Sequence, residues 1–337
     1  MKNVKLVLGT MTFGESVFSS DVEAFVNMFL DAGYEELDTA YVYNDGNCER
    51  LLGKVLPNIK IQYKIATKVN PRISGKLDGE AAYKQVNESL ERMNLSSVDT
   101  VYLHFPDPAT PVFSVLEACA ELYKQGKFKE LGLSNFPAWM VADVWHICHN
   151  YGWVKPTVFE GIYNPLTRKA ETELNACLDY FGMRFYAYNP MAGGLLTGRY
   201  GKFEEDPADG RFTHRPNYKG RYWKKSYFYA VEIIKEAAAK YGITSIEATY
   251  RWLAYHSMLK GDRGDAILIG ASKLSHLKQN METVKAGPLP EDVVKAFETA
   301  WTVTKGDSPE YFTLYKGKGS VGGEKKQLLD QGKDLKD

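Results

Sequence analysis

Short apolar segments alternate with longer amphipathic segments along almost the whole chain of 337 residues, and this alternation constrains the fold more than any other feature. The apolar segments have the length of β-strands, and the longer segments space their apolar residues as helices do. Strands that are separated by helices lie parallel and are joined by right-handed crossovers. Eight such repeats in roughly 290 residues predict one α/β domain, a (β/α)8 TIM barrel. The pattern alone leaves an open doubly wound sheet as the alternative.

Two segments of different composition interrupt the alternation. Residues 200–225, rich in Gly, Pro, Asp, Arg and aromatic residues, are expected to form a long loop after the seventh strand, at the catalytic face. Residues 316–337 are polar and rich in lysine, which is typical of a mobile tail. We therefore divide the chain into a barrel over residues 1–313 and a flexible polar tail over residues 314–337. The strands are expected at residues 4–8, 36–38, 61–68, 98–104, 129–133, 157–162, 184–188 and 266–269, with the last helix at 275–285.

Charge and cysteine usage exclude several classes of function. Lys and Arg together number 42, as do Asp and Glu, so the chain lacks the basic surplus of a nucleic-acid-binding protein. No apolar run approaches the ~20 residues of a membrane helix, and residues 1–8 are too short and too charged for a signal peptide. The four cysteines form no CxxC pair, which argues against a disulfide framework or a zinc site. A cytoplasmic protein without a metal, nucleic acid or membrane partner is expected.

One glycine pattern suggests a dinucleotide-binding turn, but its context contradicts that interpretation. Gly317, Gly319 and Gly322 form a GxGxxG sequence, and only fifteen residues follow Gly322. A Rossmann turn opens a βαβ unit of about 30 residues, which does not fit in that remainder. We interpret these glycines as part of the tail.

Four ionisable side chains follow the carboxyl ends of successive predicted strands, where parallel barrels carry their functional groups. Asp38 ends the second strand, and Tyr43 follows in the next loop. Lys68 and His104 end the third and fourth strands. Taken singly, Asp38 fits a helix cap, Tyr43 a loop aromatic and His104 a core histidine. A buried lysine needs a partner, however, and because all four side chains converge on one rim we predict a shared catalytic site.

Several segments carry a resemblance to a known family. Residues 33–53 read GYEELDTAYVYNDGNCERLLG, and three later strand ends read ATK at 66–68, YLH at 102–104 and GLSNF at 132–136. Together they resemble the aldo-keto reductase superfamily, from residue 8 to about residue 312. NPMAGGLLTGRY at 189–200 and RYW at 221–223 resemble the aflatoxin-aldehyde reductase group within it. Glu35 stands where many members have a basic residue.

The resemblance implies reduction of aldehydes or ketones to alcohols by hydride transfer from NADPH. The residue chemistry agrees, because carbonyl reduction needs an acid at the oxygen as well as a hydride donor. Tyr43 is predicted to be that acid, with a pKa that the Lys68 cation lowers. Asp38 is predicted to hold Lys68, and His104 to donate to the carbonyl oxygen and orient the substrate.

Other functions compete with this interpretation. Channel-associated β-subunits use the same fold and cofactor mainly as regulatory parts, and they keep the same four residues. The loop after the seventh strand favours the enzyme instead. A sugar isomerase or aldolase barrel is a third alternative, but this sequence lacks the metal-ligand cluster or the phosphate-site pattern expected of such a protein. A small-molecule carbonyl substrate is the expected partner, and the resemblance also admits a homodimer.

The resemblance places NADPH or NADP+ in an extended form across the barrel rim. Ser134 and Asn135 are then expected to hold the carboxamide, and Tyr188 to stack on the nicotinamide ring. Glu160 stands where the family usually has Gln, and a carboxylate accepts from an amide NH2 group but cannot donate. The other residues assigned to the cofactor are Asn189, Pro190, Gly193, Gly194, Leu195, Leu196, Thr197, Gly198, Arg199, Arg211, Gly270, Ser272, Lys273, His276, Gln279 and Asn280.

The substrate is assigned to His104 and to two residues of the long loop, Tyr218 and Arg221. Arg221 is predicted to clamp a carboxylate through two hydrogen bonds, with a solvated loop arginine as the alternative. Members of the resembled group have an arginine shortly after a Tyr-Phe pair near their end. Here Thr313 follows Phe312, so a different specificity pocket is expected.

Overall fold

The computed structural model of the protein describes residues 3–208 and 210–317, and a closed barrel of eight parallel strands forms its centre. The strands are β1 (Lys5–Gly9), β2 (Glu36–Asp38), β3 (Lys64–Val69), β4 (Val98–Leu103), β5 (Phe128–Ser134), β6 (Pro156–Ile162), β7 (Arg184–Tyr188) and β8 (Ala266–Ile269). Each strand pairs with the next in chain order, and β8 closes the ring by pairing with β1. The predicted TIM barrel is confirmed, and the open sheet is wrong.

Helices connect the strands and surround the barrel. They are α1 (Ser19–Asp31), α2 (Asn47–Val55), α3 (Pro71–Ser74), α4 (Gly79–Met93), α5 (Val112–Lys124), α6 (Ala138–Asn150), α7 (Leu174–Phe181), α8 (Arg211–His214), α9 (Pro216–Tyr222), α10 (Lys225–Ala239), α11 (Ser245–Tyr255), α12 (Leu274–Thr283) and α13 (Glu291–Thr304). Among the helices of the described residues, none is both long enough and apolar enough to cross a membrane.

Helix α13 is absent from the sequence prediction, although the sequence carries its signals. Val293, Phe297 and Ala300 are buried and recur at helical spacing, and α13 packs against α10. Glu291 and Asp292 occupy the first turn, where acidic side chains favour a helix. The last predicted helix ends at residue 285, and a segment that contains prolines and a glycine separates it from α13.

Apolar side chains fill the barrel interior below the rim. Val7, Ala66, Tyr102, Val158 and Tyr186 belong to this inner cluster, and a larger apolar layer lies between the strands and the helices. Successive side chains of a strand point to opposite faces. On β6 this alternation puts Glu160, two positions after Val158, on the same inner face and nearer the carboxyl end. The polar side chain of Glu160 therefore lies above the apolar interior.

The long segment after β7 is partly helical, whereas the sequence predicted a loop. It contains a 3-10 turn at Ala192–Thr197 and the short helices α8 and α9. Arg215 donates to both carboxylate oxygens of Glu15, at 2.8 and 3.1 Å, and to Oδ1 of Asn44 at 3.4 Å. These contacts fix the segment to the loops that follow β1 and β2. The segment therefore reaches across the carboxyl-terminal mouth of the barrel.

Residues 314–317 are the described part of the predicted tail. Tyr315 is buried, and its backbone N–H donates to the carbonyl oxygen of Pro106 at 2.9 Å. The N–H of Thr313 donates to the carbonyl oxygen of Asn135 at 3.1 Å, so this part of the chain passes along the rim beside β4 and β5. Gly319, Gly322 and the rest of the tail lie outside the described residues, and the mobility of the tail stays a prediction.

Candidate active site

A buried ion cluster lies at the carboxyl-terminal end of the barrel. Lys68 extends from β3 to a carboxylate oxygen of Asp38 on β2, and its Nζ also lies 3.2 Å from Oε2 of Glu160 on β6. The three side chains are 0%, 4% and 3% exposed. Lys68 also donates to the carbonyl oxygen of Thr39 at 3.1 Å. Burial by itself lowers the pKa of Lys68, but the charges of the two carboxylates outweigh it and raise that pKa, so the lysine stays charged.

Tyr43 lies beside this cluster, in the loop that follows β2. Its hydroxyl donates to Oδ2 of Asp38 at 3.4 Å, and Nζ of Lys68 lies 5.4 Å from the centre of its ring. The pKa of Tyr43 is raised well above its ordinary value, first by burial and then by the negative charges of Asp38 and Glu160. The prediction of a lowered pKa for Tyr43 is therefore wrong for this arrangement, because burial and the carboxylates of Asp38 and Glu160 raise that pKa despite the nearby Lys68. The phenol keeps its proton at neutral pH.

His104 faces Tyr43 across the mouth, with the two ring centres 6.4 Å apart. Burial and the cations Lys68 and Arg72 lower the pKa of His104 well below its ordinary value, so the imidazole is neutral. A neutral imidazole carries its proton on one nitrogen only. The partner of Nδ1 therefore decides whether His104 can donate from Nε2.

Asn70 is that partner, and the sequence prediction missed it. The Oδ1 atom of Asn70 accepts from the backbone N–H of Arg72 at 2.9 Å, which turns the Nδ2 group toward Nδ1 of His104 at 3.1 Å. Nδ1 then accepts a hydrogen bond and the proton resides on Nε2. Gln85 holds the backbone of Asn70 through its own amide, at 2.8 and 3.1 Å. The sequence signal was the helix-capping residue Asn followed by Pro, directly after the β3 strand.

Residues at the ends of β5 and β7 form a second hydrogen-bonded group on the rim. The side chain of Asn135 donates to the carbonyl oxygen of His104 at 3.0 Å and to Oγ of Ser134 at 2.9 Å. Its Oδ1 accepts from the hydroxyl of Tyr188 at 2.6 Å. Asn135 has φ of 61°, a left-handed conformation that asparagine tolerates better than most residues. The structure thus brings Ser134, Asn135 and Tyr188 together beside His104, as the sequence predicted.

Comparison with known proteins gives these contacts a family context. The model of the aldo/keto reductase family matches residues 5–302. The chain belongs to this family. Aflatoxin B1 aldehyde reductase member 2 of Rattus norvegicus is 44% identical over 91% of this chain and 87% of the rat protein, and the human protein of that name is 43% identical over 92% and 89%. An aldo-keto reductase of Pseudocercospora fijiensis is 41% identical over 83% of this chain and 97% of the fungal one. These similarities confirm the resemblance read from the sequence.

The segment after β7 gives this aldo-keto reductase a strained backbone turn at the mouth. Gly193 and Gly194 have φ of 71° and 106°, and a Cβ atom at Gly193 would lie 2.8 Å from the ring of Tyr218. Tyr218 donates to Oδ1 of Asn189 at 3.2 Å. The buried Nδ2 atom of Asn189 has no hydrogen-bond partner among the described residues. Because Gly193 lacks a Cβ atom, Tyr218 can pack against the turn, and Asn189 keeps one unused buried donor.

Two guanidinium groups approach the same tyrosine. Arg211 and Arg221 lie 5.1 and 5.6 Å from the ring centre of Tyr218. The structure thus brings together Tyr218 and Arg221, the two loop residues that were predicted to contact substrate. Arg199, in contrast, lies on the surface against Tyr200.

Thr197 and Gly198 end the 3-10 turn, where the Thr197 hydroxyl donates to the carbonyl oxygen of Gly194 at 2.7 Å and Gly198 has φ of 70°. The other residues predicted to bind cofactor fall into two groups. Leu195 and Leu196 are buried in the core, and Pro190 is buried as well, so the structure places these three away from the exposed rim. The second group lies around the start of α12, which follows β8 at the same end of the barrel. These residues are exposed except for Asn280, which is buried. Lys273 precedes the first helical residue, a position suited to anions. This outer group is Gly270, Ser272, Lys273, His276, Gln279 and Asn280.

Proposed function

We propose that this reductase converts aldehydes or ketones to alcohols with NADPH, with Tyr43 as the proton donor. The observation that carries the proposal is the pairing of two neutral donors across one mouth, the protonated Tyr43 and the Nε2–H of His104. A carbonyl oxygen between them gains negative charge as hydride arrives, and both donors stabilise that charge.

The rim fits a nicotinamide nucleotide on three observations. The Gly193–Gly194 turn has no side chain that would block a close approach, Asn189 has a buried donor without a partner among the described residues, and α12 begins beside Lys273. Ser134, Asn135 and Tyr188 would hold the nicotinamide end. When bound, the reduced nicotinamide supplies a hydride to the carbonyl carbon. Tyr43 supplies the proton to the oxygen, so one carbonyl, one NADPH and one proton give one alcohol and one NADP+.

Lys68 prepares Tyr43 for the change of charge. Once the proton has left, Tyr43 carries a negative charge, and Nζ of Lys68, which is charged and held by Asp38, lies 5.4 Å from the centre of its ring. A cation at that place stabilises the product of proton transfer without ionising the phenol beforehand. The raised pKa keeps Tyr43 protonated before the reaction, and the buried lysine stabilises the phenolate once the proton has left.

Turnover tests the proposal directly. Purified protein with NADPH and 4-nitrobenzaldehyde should consume the cofactor, measured as loss of its near-ultraviolet absorbance. A channel-associated regulatory subunit, the second function considered from the sequence, would bind NADPH with little consumption. Absence of turnover with a range of aldehydes, at full cofactor occupancy, would contradict the enzymatic proposal.

The location of Lys273 and His276 predicts a preference for NADPH over NADH. Both lie at the start of α12, and no acidic residue occurs between positions 270 and 280 to bind a free ribose hydroxyl. A charge-assisted contact with the 2′-phosphate contributes about 1.5–3 kcal/mol, or about tenfold or more in affinity. Fluorescence titration with each cofactor measures the two dissociation constants, and equal values would contradict the assignment.

Arg221→Ala is expected to impair reduction of carboxylated aldehydes selectively. Arg221 lies in the segment that crosses the mouth, and loss of a charge-assisted pair should raise KM for 4-carboxybenzaldehyde about tenfold or more. KM for 4-nitrobenzaldehyde should change little. Lys219→Ala is the matched control, because Lys219 lies on α9 as well but pairs with Asp206. Equal losses with both aldehydes would assign Arg221 a structural role.

A further inference from the structure

Glu160 is a buried carboxyl group, and the single positive charge of Lys68 cannot balance both Glu160 and the neighbouring Asp38. It shares Lys68 with Asp38, and all three side chains are almost fully buried. The 3.2 Å approach of Nζ to Oε2 lacks the geometry of a hydrogen bond, and the buried Oε2 atom has no hydrogen-bond partner among the described residues. One lysine between two carboxylates leaves a net negative charge when both are ionised.

Glu160 also lies in the part of the rim assigned to the nicotinamide ring. In the barrel it pairs in register with Ser134 on β5, and Ile162 of the same strand pairs with Tyr188 on β7. Its charge acts on Tyr188, which would stack on that ring. The charge of Glu160 can therefore interact with the charge of a bound nicotinamide ring.

The lysine and the tyrosines around Glu160 do not change charge near neutral pH. Lys68 has a raised pKa, and the neighbouring tyrosines have raised pKa values, mainly through burial. Burial, followed by the charge of Asp38, raises the pKa of Glu160 itself to about 8. The groups that face it are Asp38 from β2, Tyr43 from the loop after β2, Lys68 from β3, Tyr102 from β4 and Tyr188 from β7.

We infer that Glu160 couples proton release to the redox state of the bound nicotinamide: its ionised form favours the cationic ring of NADP+ over the neutral ring of NADPH. The inference rests on the proposed cofactor site. Attraction between the carboxylate and a nearby positive ring strengthens in a buried site. Binding of NADP+ then promotes loss of the proton from Glu160 to solvent, whereas binding of NADPH leaves that proton in place.

The sign of the effect follows from this coupling. Because burial and the charge of Asp38 raise the pKa of Glu160, the side chain takes up its proton toward low pH, and in that form it gives NADP+ little advantage. As pH rises through about 8, the side chain ionises and NADP+ binds more tightly relative to NADPH. The 2′-phosphate is present in both nucleotides, so its own titration largely cancels in the ratio of their dissociation constants.

The test is that ratio, Kd for NADP+ divided by Kd for NADPH, measured by quenching of tryptophan fluorescence between pH 6.5 and 9. For the unaltered protein we expect the ratio to fall at least about fivefold over this range. In Glu160→Gln, which keeps the shape and removes the charge, the ratio should stay constant. Glu130→Gln is the matched control, because Glu130 lies on the adjacent β5 near the opposite end of the barrel and should leave the fall intact.

Proton release gives a second measurement that needs no variant. In weakly buffered solution at pH 7.5, NADP+ should release more protons per bound molecule than NADPH does. A constant ratio in the unaltered protein, equal proton release by the two nucleotides, or an undiminished fall in Glu160→Gln would each overturn the inference while leaving the cofactor site standing. Failure of both nucleotides to bind would overturn the proposed function and this inference together.

Discussion

Replacing Tyr43 with phenylalanine is expected to lower kcat by at least about 10²-fold, because positioned proton transfer contributes about 10²–10⁴-fold. The substitution keeps the ring and removes the only proton that Tyr43 can give. It removes the 3.4 Å hydrogen bond from the hydroxyl to Oδ2 of Asp38 and keeps the ring, whose centre lies 5.4 Å from Nζ of Lys68. Steady-state reduction of 4-nitrobenzaldehyde at saturating NADPH measures the effect.

A matched control separates proton donation from support of the loop. Tyr41 lies in the same loop, with Arg92 4.5 Å from its ring centre, and Tyr41→Phe should retain nearly full turnover. Affinity for NADPH should change little in Tyr43→Phe, since nicotinamide binding is assigned to Ser134, Asn135 and Tyr188. Near-normal kcat would show that another group donates the proton. Loss of cofactor binding together with activity would give Tyr43 a structural role.

The placement of the active site could be predicted because strand periodicity fixes it. Parallel strands bring their carboxyl ends to one rim, so polar residues that end successive apolar segments must meet there. Asp38, Lys68 and His104 obey this rule, and the structure joins them through contacts between β2, β3 and β4. The family resemblance added the cofactor residues, which periodicity alone does not distinguish from ordinary loop residues.

The electrostatic state of the site could not be predicted in the same way. The direction of the pKa shift of Tyr43 depends on whether Lys68 faces the phenol alone or is shared with Asp38 and Glu160, and sequence spacing does not give those distances. The role of Asn70 depends on the orientation of one amide, which the N–H of Arg72 determines. Both are properties of contacts between side chains from different strands.

Lys68→Met is expected to destabilise the fold as well as to slow turnover. Removing one member of a buried ion cluster leaves Asp38 and Glu160 without a counter-charge, and such a loss costs about 3–5 kcal/mol in the free energy of unfolding. Turnover should fall too, because the phenolate of Tyr43 loses the cation that stabilises it. Urea unfolding at pH 8, followed by circular dichroism, measures the first effect.

The pH dependence of this loss distinguishes uncompensated charge from lost packing. A buried carboxyl whose folded pKa is raised above its unfolded value takes up a proton more readily in the folded state, so its stabilising contribution is present at low pH and lost as pH rises. Lys68 holds down the pKa of Glu160, so without Lys68 that pKa rises further, and the deficit of Lys68→Met should therefore shrink between pH 8 and pH 5.5. Adding Glu160→Gln to Lys68→Met removes one of the two carboxylates and should recover part of the stability at pH 8. A deficit that is the same at both pH values, and unchanged in the double variant, would mean that the methylene packing of Lys68 matters and its charge does not.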